Sequence, residues 1–329
     1  MKVSILAYDG CMGAEVLGFA DVLHLANRIS RHKRPDVPAP FEVAVVGVCE
    51  GLVTLAGGMQ LAVQTPGRTD LLVVPAFDFA RMRDIEGVLA GLGEEVALIR
   101  RVAKKKPAAA ICGGVFLLAE AGLLDGRRAT TAWMLAPAFA RRYPDVRLEH
   151  DALVVRDGDR LTAGAFQAYA DLALMLVRDC VDDWLAGAVG RFALIDAGRA
   201  SQTPYIDPNL IPKIEQAFSG AVSRRLEVHL RDRYDLDTLA RQFHVSSRTL
   251  LRRFKAETGA TPLERLQDLR IAEAKRLLEG SRLGVAQIAE RVGYMDLSTF
   301  SRLFARKTST TPAAYRRRFR PAPPTAAAA

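Results

Sequence analysis

Short apolar runs alternate with amphipathic segments through the first two thirds of the chain. The runs are rich in Val, Ile, Leu and Ala, a composition that favours buried strands, and they span residues 2–8, 41–48, 71–75 and 108–112. Helical spacing of apolar positions predicts helices at residues 14–29 and 85–104. Strands that alternate with helices predict a parallel sheet covered on both faces.

The last third of the chain contains a helical unit that occurs twice. Residues 254–262 recur, with substitutions, as residues 304–312, an interval of 50 residues. Before each copy, apolar positions at helical spacing lie on both sides of a short break, which predicts two helix-turn-helix units. Ser246 and Asp296 are good N-cap residues and are predicted to start the second helix of each unit. A third helix, over residues 262–278, is predicted to join the two units.

Charge separates the two parts of the chain. The net charge is +9, but residues 205–329 hold 23 Lys and Arg against 13 Asp and Glu, and the remainder is near neutral at −1. A near-neutral module joined to a basic one suggests that the first binds a small molecule and the second a polyanion. Within the basic part, Arg248, Arg252 and Lys255 share the stripe of the predicted helix opposite Leu250 and Phe254.

Residues 213–320 resemble the DNA-binding domain of the AraC/XylS type. The resemblance is carried by the second unit, from Ile288-Ala289 through Gly293-Tyr294 to Phe304, and by the closing residues 311–316. It implies that both second helices enter successive major grooves of DNA. The base-contacting positions it implies are Arg248, Leu251, Arg252, Leu297, Ser298, Thr299 and Arg302. Helical spacing adds Lys255, Arg306 and Lys307 to the expected DNA-facing residues. Ser309 stands after the second helix of the second unit, where the family usually has Gly.

A cysteine stands where a predicted strand passes into a helix through small residues. The sequence from Ala110 to Leu118 predicts a tight elbow with Cys112 at its tip. A helix N-terminus beside Cys112 is expected to favour its thiolate, with the backbone N–H groups of Gly113 and Gly114 nearby. Because ligands bind at the carboxyl ends of parallel strands, a pocket is expected here.

Residues 1–190 resemble the PfpI-like domain of the class I glutamine amidotransferase-like superfamily, in the branch fused to AraC-type regulators, the GlxA type. The resemblance runs from the Cys112 elbow through residues 119–133. It matches Cys112 to the nucleophile and Glu15 to the acidic residue beside it. Ala132 replaces the usual His, so the general base is missing and no catalytic residue is expected.

Three interpretations of Cys112 stay open: a catalytic nucleophile, a packed strand-end cysteine, and part of a ligand-sensing pocket. The last is favoured, because a thiol without an adjacent base lacks the group that would protonate a leaving group. The expected ligand-binding residues are Glu15, Phe79, Cys112, Gly113, Gly114 and Trp133.

The sequence therefore predicts an α/β chain in which a flavodoxin-like parallel sheet domain precedes an all-α domain with two helix-turn-helix units. The expected boundaries are 1–194 for the sensor domain, 195–212 for a linker dense in Pro and Gly, 213–320 for the DNA-binding domain, and 321–329 for a disordered tail.

The expected function is that of a sequence-specific DNA-binding transcriptional regulator, an activator according to the family resemblance. A small metabolite, amino-acid or amine derived, is expected to bind the N-terminal domain and control it. The alternatives are a cysteine-dependent hydrolase or amidotransferase-like enzyme and a redox sensor that uses Cys112. Double-stranded DNA and a second copy, paired through the N-terminal domain, are the expected partners.

No cofactor or metal is expected, because the four cysteines lie far apart without a CxxC or Cys/His cluster. No apolar run is long enough for a membrane span, and a cytoplasmic location is expected.

Overall fold

The computed structural model describes residues 1–196, 198–207, 210 and 218–320. The chain divides into two compact units, Met1–Gln202 and Thr203–Ala329. The predicted disordered tail, 321–329, lies outside the described residues, as do residues 197, 208–209 and 211–217 of the predicted linker and its surroundings. Among the described helices, none is long and apolar enough to cross a membrane.

The first unit is built on a mixed sheet. Its strands are β1 (Lys2–Leu6), β2 (Glu42–Val46), β3 (Gly51–Thr54), β4 (Gln60–Val63), β5 (Leu71–Val74), β6 (Ala108–Ile111), β7 (Arg128–Ala129), β8 (Arg147–Leu148), β9 (Val154–Asp157) and β10 (Arg160–Ala163). The main sheet runs β2-β1-β5-β6-β10-β9, parallel throughout except for the antiparallel pair β10 and β9. Strands β3 and β4 form a separate hairpin.

Helices cover the sheet as the alternating pattern predicts. They are α1 (Gly13–Lys33), α2 (Ile85–Gly91), α3 (Gly93–Ala103), α4 (Gly114–Glu120), α5 (Ala136–Arg142), α6 (Ala168–Cys180) and α7 (Asp183–Phe192). Every residue of β5, β6 and β10 is buried, as expected for strands covered on both faces. The helix predicted over 85–104 is two helices, because glycines on both sides of Leu92 weaken it there.

The second unit is helical. Its helices are α8 (Phe218–Val228), α9 (Leu236–Gln242), α10 (Ser247–Thr258), α11 (Pro262–Gly280), α12 (Val285–Arg291), α13 (Leu297–Thr308) and α14 (Pro312–Phe319). Two hydrophobic cores hold it together, one for each repeat. Helix α11 contributes Leu266 and Leu269 to the first core and Ile271, Ala274 and Leu278 to the second. The predicted joining helix is therefore confirmed, and it fixes the spacing of the two repeats.

The predicted caps are confirmed for the second helix of each helix-turn-helix unit, α10 and α13, which we call the reading helices. The Ser246 hydroxyl accepts a hydrogen bond from the Thr249 N–H at 3.2 Å and starts α10. The Asp296 carboxylate accepts from the N–H groups of Ser298 and Thr299, which starts α13 and lowers the pKa of Asp296 to about 2. Each cap satisfies backbone donors that the first helical turn leaves without a partner.

Candidate functional site

Cys112 occupies the tip of the elbow between β6 and α4. Its φ of 52° lies in the left-handed region, which is strained for a residue with a side chain and typical of functional elbows. The Cys112 N–H donates to Ala163 O at 2.9 Å, and its carbonyl accepts from Thr131 Oγ1 at 2.7 Å. Gly114 is required here, because a Cβ at that position would lie 2.5 Å from the carbonyl oxygens of Val74 and Pro75.

Glu15 reaches the same region from the first turn of α1. Its side chain is fully buried, and Oε2 accepts a hydrogen bond from the Ala76 N–H at 2.6 Å. Its other oxygen, Oε1, has no hydrogen-bond partner in the part of the chain that the structure describes. Burial raises the pKa of Glu15 to about 8 against the single opposing hydrogen bond from Ala76. Glu15 is therefore mainly a neutral acid at pH 7.

The surroundings of the half-buried Cys112 disfavour its thiolate. Burial raises the pKa of Cys112 far above its usual value, the Glu15 carboxyl raises it further, and the Gly113 N–H opposes this only weakly. The expectation of a favoured thiolate is wrong for this reason. A helix N-terminus such as that of α4 typically contributes about 0.3–1 kcal/mol, which is too little to offset such a loss of hydration.

Most of the predicted pocket residues lie around one short stretch of backbone, the end of β5 and the residues after it. Glu15 bonds the N–H of Ala76, and a Cβ on Gly113 would lie 3.5 Å from the Cβ of Ala76. Phe79 is half-buried, and its ring centroid lies 6.1 Å from that of Phe77, which follows Ala76 in this stretch. Trp133 is also half-buried, and its backbone N–H donates to Gln202 Oε1.

The position of the missing base is filled by a buried methyl group. Ala132 is 4% exposed, whereas the histidines His24 and His150 of the first unit are exposed. His24 lines a depression of about 530 Å³ along α1 together with Asp21, Arg28 and Arg31. The His150 side chain is mostly exposed and lies 3.2 Å from Asp151. Among the described residues, no cluster of His, Cys, Asp and Glu could hold a metal ion, and all four cysteines are free.

The reading helices present the predicted basic residues to solvent. Leu250 and Phe254 of α10 and Phe300 and Phe304 of α13 are fully buried, so the opposite stripes face outward. The exposed members of the predicted DNA-facing set are Arg248, Arg252, Lys255, Leu297, Ser298, Thr299, Arg302 and Arg306. In the described part of the chain, the arginines of this set form no intramolecular ion pair. Their guanidinium groups are available to phosphates and base edges.

Two members of the predicted set are less available. Lys307 turns back toward α11, where its Nζ lies 2.7 Å from the Asp268 carboxylate with 30% of the side chain exposed. Lys307 is the penultimate residue of α13, a helix that contacts α11. Leu251 is half-buried. The outward placement predicted for Lys307 is thus corrected to an ion pair within the unit.

Gln202 is a site residue that sequence reasoning missed. It lies at 1% exposure beneath the Cys112 elbow, and its Nε2 donates to Thr131 O at 2.9 Å and to Ala152 O at 3.0 Å. Its Oε1 accepts from the Trp133 N–H at 3.2 Å. A glutamine in a segment dense in turn-forming residues carries no signal of burial. The one local hint is Gly164, where a Cβ would overlap the Gln202 amide.

Comparison with known proteins agrees with this architecture. The DJ-1/PfpI family matches residues 1–179, and a helix-turn-helix domain family matches residues 239–318. The HTH-type transcriptional regulator GlxA of Rhizobium meliloti is 33% identical over 217 residues, 63% of this chain and 64% of that protein. The HTH-type transcriptional regulator CdhR of Pseudomonas aeruginosa is 30% identical over 207 residues, 60% of this chain and 59% of that protein. The chain thus spans just under two thirds of the length of these relatives.

A shorter sequence match and a solved structure cover smaller parts of the chain. The HTH-type transcriptional activator RhaS of Escherichia coli is 42% identical over 87 residues, 26% of this chain and 31% of that protein. A crystal structure of a THiJ/PfpI family protein from Pseudomonas syringae has a TM-score of 0.48 and 20% identity, covering 59% of this chain and 75% of that one. Since its first domain extends over more than half of its length and is followed by the two helix-turn-helix repeats, the chain belongs to the DJ-1/PfpI family, in the AraC-type branch that resembles GlxA and CdhR.

Proposed function

We propose that this protein is a sequence-specific DNA-binding transcriptional regulator whose N-terminal domain binds a small metabolite. The observation that carries the proposal is the pair of capped reading helices, α10 and α13, which expose Arg248, Arg252 and Arg302 without ion-pair partners in the described residues. We infer that these two helices, which α11 joins, enter two successive major grooves. The net charge of +10 from residue 205 onward supplies the attraction to phosphate.

The DNA-binding test does not require a known operator sequence. The full chain selects its own sites from a random duplex library, and affinity for the selected duplex is then compared with affinity for a scrambled one. The double variant Arg252→Ala and Arg302→Ala is expected to lose preference for the selected duplex. Arg317→Ala removes an exposed Arg from α14 and serves as the control, with little loss of preference. Equal affinity of the native chain for both duplexes would refute the proposal.

We place the metabolite at the Cys112 elbow and give it no covalent role. The unpartnered Oε1 of Glu15 and the protonated thiol of Cys112 offer polar groups in a buried setting within the described residues. A nucleophilic mechanism would need a thiolate and a base, and the elevated thiol pKa and Ala132 disfavour both. We therefore propose a sensor rather than an enzyme, and Cys112→Ser is expected to change ligand affinity only modestly.

Binding of an amino-acid- or amine-derived effector is expected to release a proton. An ammonium group beside Glu15 would return the pKa of that carboxyl toward its usual range, so binding near pH 7 would release a proton. Calorimetry of amino acids and amines in buffers of different ionisation enthalpy would detect the release. Binding without release, or binding that survives Glu15→Gln unchanged, would argue for a neutral carbonyl compound or another site.

We further propose that the protein acts as an activator and as a homodimer paired through its first domain. The likeness to the activator RhaS supports the first part, and a reporter placed behind a selected site should rise in output. For pairing, α1 and α7 pack together and expose Leu17, Trp184 and Phe192. Sedimentation of the full chain is expected to give a dimer at micromolar concentration, and Phe192→Ser should weaken it.

A further inference from the structure

The segment between the two units is fastened on both sides of a single peptide bond. We define the connector as residues 199–206, which lie within the predicted linker 195–212 and are all described. Its first half belongs to the first unit and its second half to the second unit, with the boundary between Gln202 and Thr203. Gln202 is hydrogen-bonded within the first unit, and the next residue, Thr203, is hydrogen-bonded within the second.

The first half of the connector is anchored by backbone and side-chain bonds. The Leu153 N–H donates to Ala200 O at 3.2 Å, and the Gln202 N–H donates to Asp151 O at 2.9 Å. Arg199 forms an ion pair with the largely buried Asp171 of α6. The Gln202 side chain is then inserted beneath the elbow, so the first half is held at each end.

The insertion of Gln202 connects it to Cys112 by hydrogen bonds. Gln202 Nε2 donates to Thr131 O, and the Thr131 hydroxyl donates to the Cys112 carbonyl at 2.7 Å. Its partners fix the orientation of the amide, because the acceptors Thr131 O and Ala152 O require the NH₂ group and the Trp133 N–H requires the oxygen. A displacement of the Cys112 elbow therefore acts on the buried amide.

The second half of the connector is anchored on the second repeat. The Thr203 and Ser309 hydroxyls are hydrogen-bonded at 2.9 Å, and the 3-10 turn Thr203–Tyr205 packs against α13. Lys275 of α11 is 8% exposed, and its Nζ donates to Thr203 O at 3.1 Å and to Ile206 O at 2.8 Å. Burial of this ammonium lowers the pKa of Lys275 to about 8.

The bond to Thr203 accounts for the serine at position 309, where the AraC/XylS family usually has glycine. It follows α13 with a φ of 55°, as Gly259 follows α10 with a φ of 76°. Left-handed backbone is strained for serine, a penalty that glycine avoids because it has no Cβ. The serine provides in exchange the hydroxyl that bonds Thr203, so the departure from the repeat lies at the anchor of the connector.

We propose that the connector transmits occupancy of the Cys112 elbow to the C-terminal end of the second reading helix, α13. The route is Cys112, Thr131, Gln202, the peptide bond to Thr203, and Ser309, each step being a hydrogen bond or a covalent bond. The biological meaning of this coupling rests on the proposed function, but the coupling itself is a property of the chain. Coupling between two sites is reciprocal, so a disturbance at either anchor must reach the other.

Hydrogen exchange of the full chain, followed by mass spectrometry, tests the proposal without ligand or operator. Gln202→Met keeps the length of the side chain but removes its hydrogen bonds, and Gln167→Met, at an exposed position of the same unit, is the matched control. Gln202→Met is expected to speed exchange about threefold to tenfold in peptides that contain Trp133 and also in peptides that cover 203–206 and 304–310. Gly164→Ala, whose Cβ would displace the same amide, is expected to do likewise.

The reciprocal variants start from the second unit. Thr203→Val keeps the shape of the side chain, and Ser309→Gly relieves backbone strain while removing the hydroxyl. Both are expected to speed exchange at 203–206 and at Trp133. Exchange confined to the altered unit overturns the proposal, and so does no change anywhere. A rise that extends to β5 reports general unfolding and also counts against it.

DNA binding separates this proposal from the proposed function. If the native chain shows no preference for any selected duplex, the regulator function fails while the exchange result stands. If the native chain binds its selected duplex and exchange stays confined to the altered unit, the connector proposal alone fails.

Discussion

Replacement of Glu15 by Gln is expected to remove much of the pH dependence of stability of the first unit. The pKa of Glu15 is about 8 in the folded chain against 4.5 for an unperturbed carboxyl. Between these values the unfolded chain releases a proton that the folded chain retains. The free energy of unfolding therefore falls as pH rises, and the stabilisation present below pH 4.5 is lost by about pH 8.

The magnitude follows from the width of this window. One pKa unit corresponds to roughly 1.4 kcal/mol, so from about pH 5 to pH 8 the native chain is expected to lose about 4 kcal/mol through Glu15 alone. Gln keeps an oxygen that accepts the Ala76 N–H and carries no titratable proton. The stability difference between Glu15→Gln and the native chain should therefore shift by about 4 kcal/mol in favour of the variant over this range.

Both tryptophans, Trp133 and Trp184, belong to the first unit, so their fluorescence reports urea unfolding of that unit in the full chain. Unfolding is measured at half-unit steps from pH 5 to pH 8 for the native chain and for Glu15→Gln. Glu50→Gln, at an exposed loop position, is the control and should follow the native curve. Parallel curves for the native chain and Glu15→Gln would contradict the conclusion that Glu15 is neutral when folded.

Four further substitutions test the reading helices and the elbow. Arg252→Ala is expected to weaken binding to a selected DNA site by about 1–3 kcal/mol and to relax the base preference at one position, as measured by fluorescence anisotropy. Lys307→Ala is expected to change the salt slope of DNA binding by much less than one unit, because a carboxylate of α11 already pairs with it; a full unit would contradict that pairing. Gly114→Ala is expected to lower the unfolding free energy of the first unit by about 1–3 kcal/mol, visible as a lower urea midpoint. Ala132→His is expected to create slow, thiol-dependent turnover of amides or α-oxoaldehydes that a colorimetric assay of product would detect.

The elements of the fold were predictable where a local pattern determines them. Runs of apolar residues indicated β1, β2, β5 and β6, and cap residues placed the starts of α10 and α13. The strands β9 and β10 were not predicted, because polar residues interrupt the apolar pattern, Arg156 and Asp157 in β9 and Arg160 in β10. Arg160 is nevertheless buried, since its guanidinium donates to the carbonyls of Ala103 and Lys106. A pairing of that kind depends on the fold and leaves no trace in the local sequence.

The chemistry of the site was predictable only in part, for a similar reason. Small residues around Cys112 predicted the elbow, but the protonation state depends on how many groups surround the sulfur in space. The sequence shows a helix N-terminus that would favour a thiolate. It does not show that Glu15 of α1 is buried against the backbone of Ala76, close enough to act on Cys112. Burial then raises the pKa of both acids, and the Glu15 carboxyl raises the pKa of the Cys112 thiol further. Two acids that are both neutral at pH 7 are better suited to hydrogen-bonding a ligand than to attacking one.

The residue after the second reading helix is a further case in which the local sequence shows a feature but the fold determines its role. Ser309 departs from the repeat at a position where backbone geometry alone would select glycine, as Gly259 shows in the first copy. Local sequence rules can identify such a departure, but they cannot assign it a purpose. The contact with Thr203 supplies one, because a strained serine is retained where its hydroxyl anchors the connector. Whether the strain is offset by that hydrogen bond is what the exchange behaviour of Ser309→Gly decides.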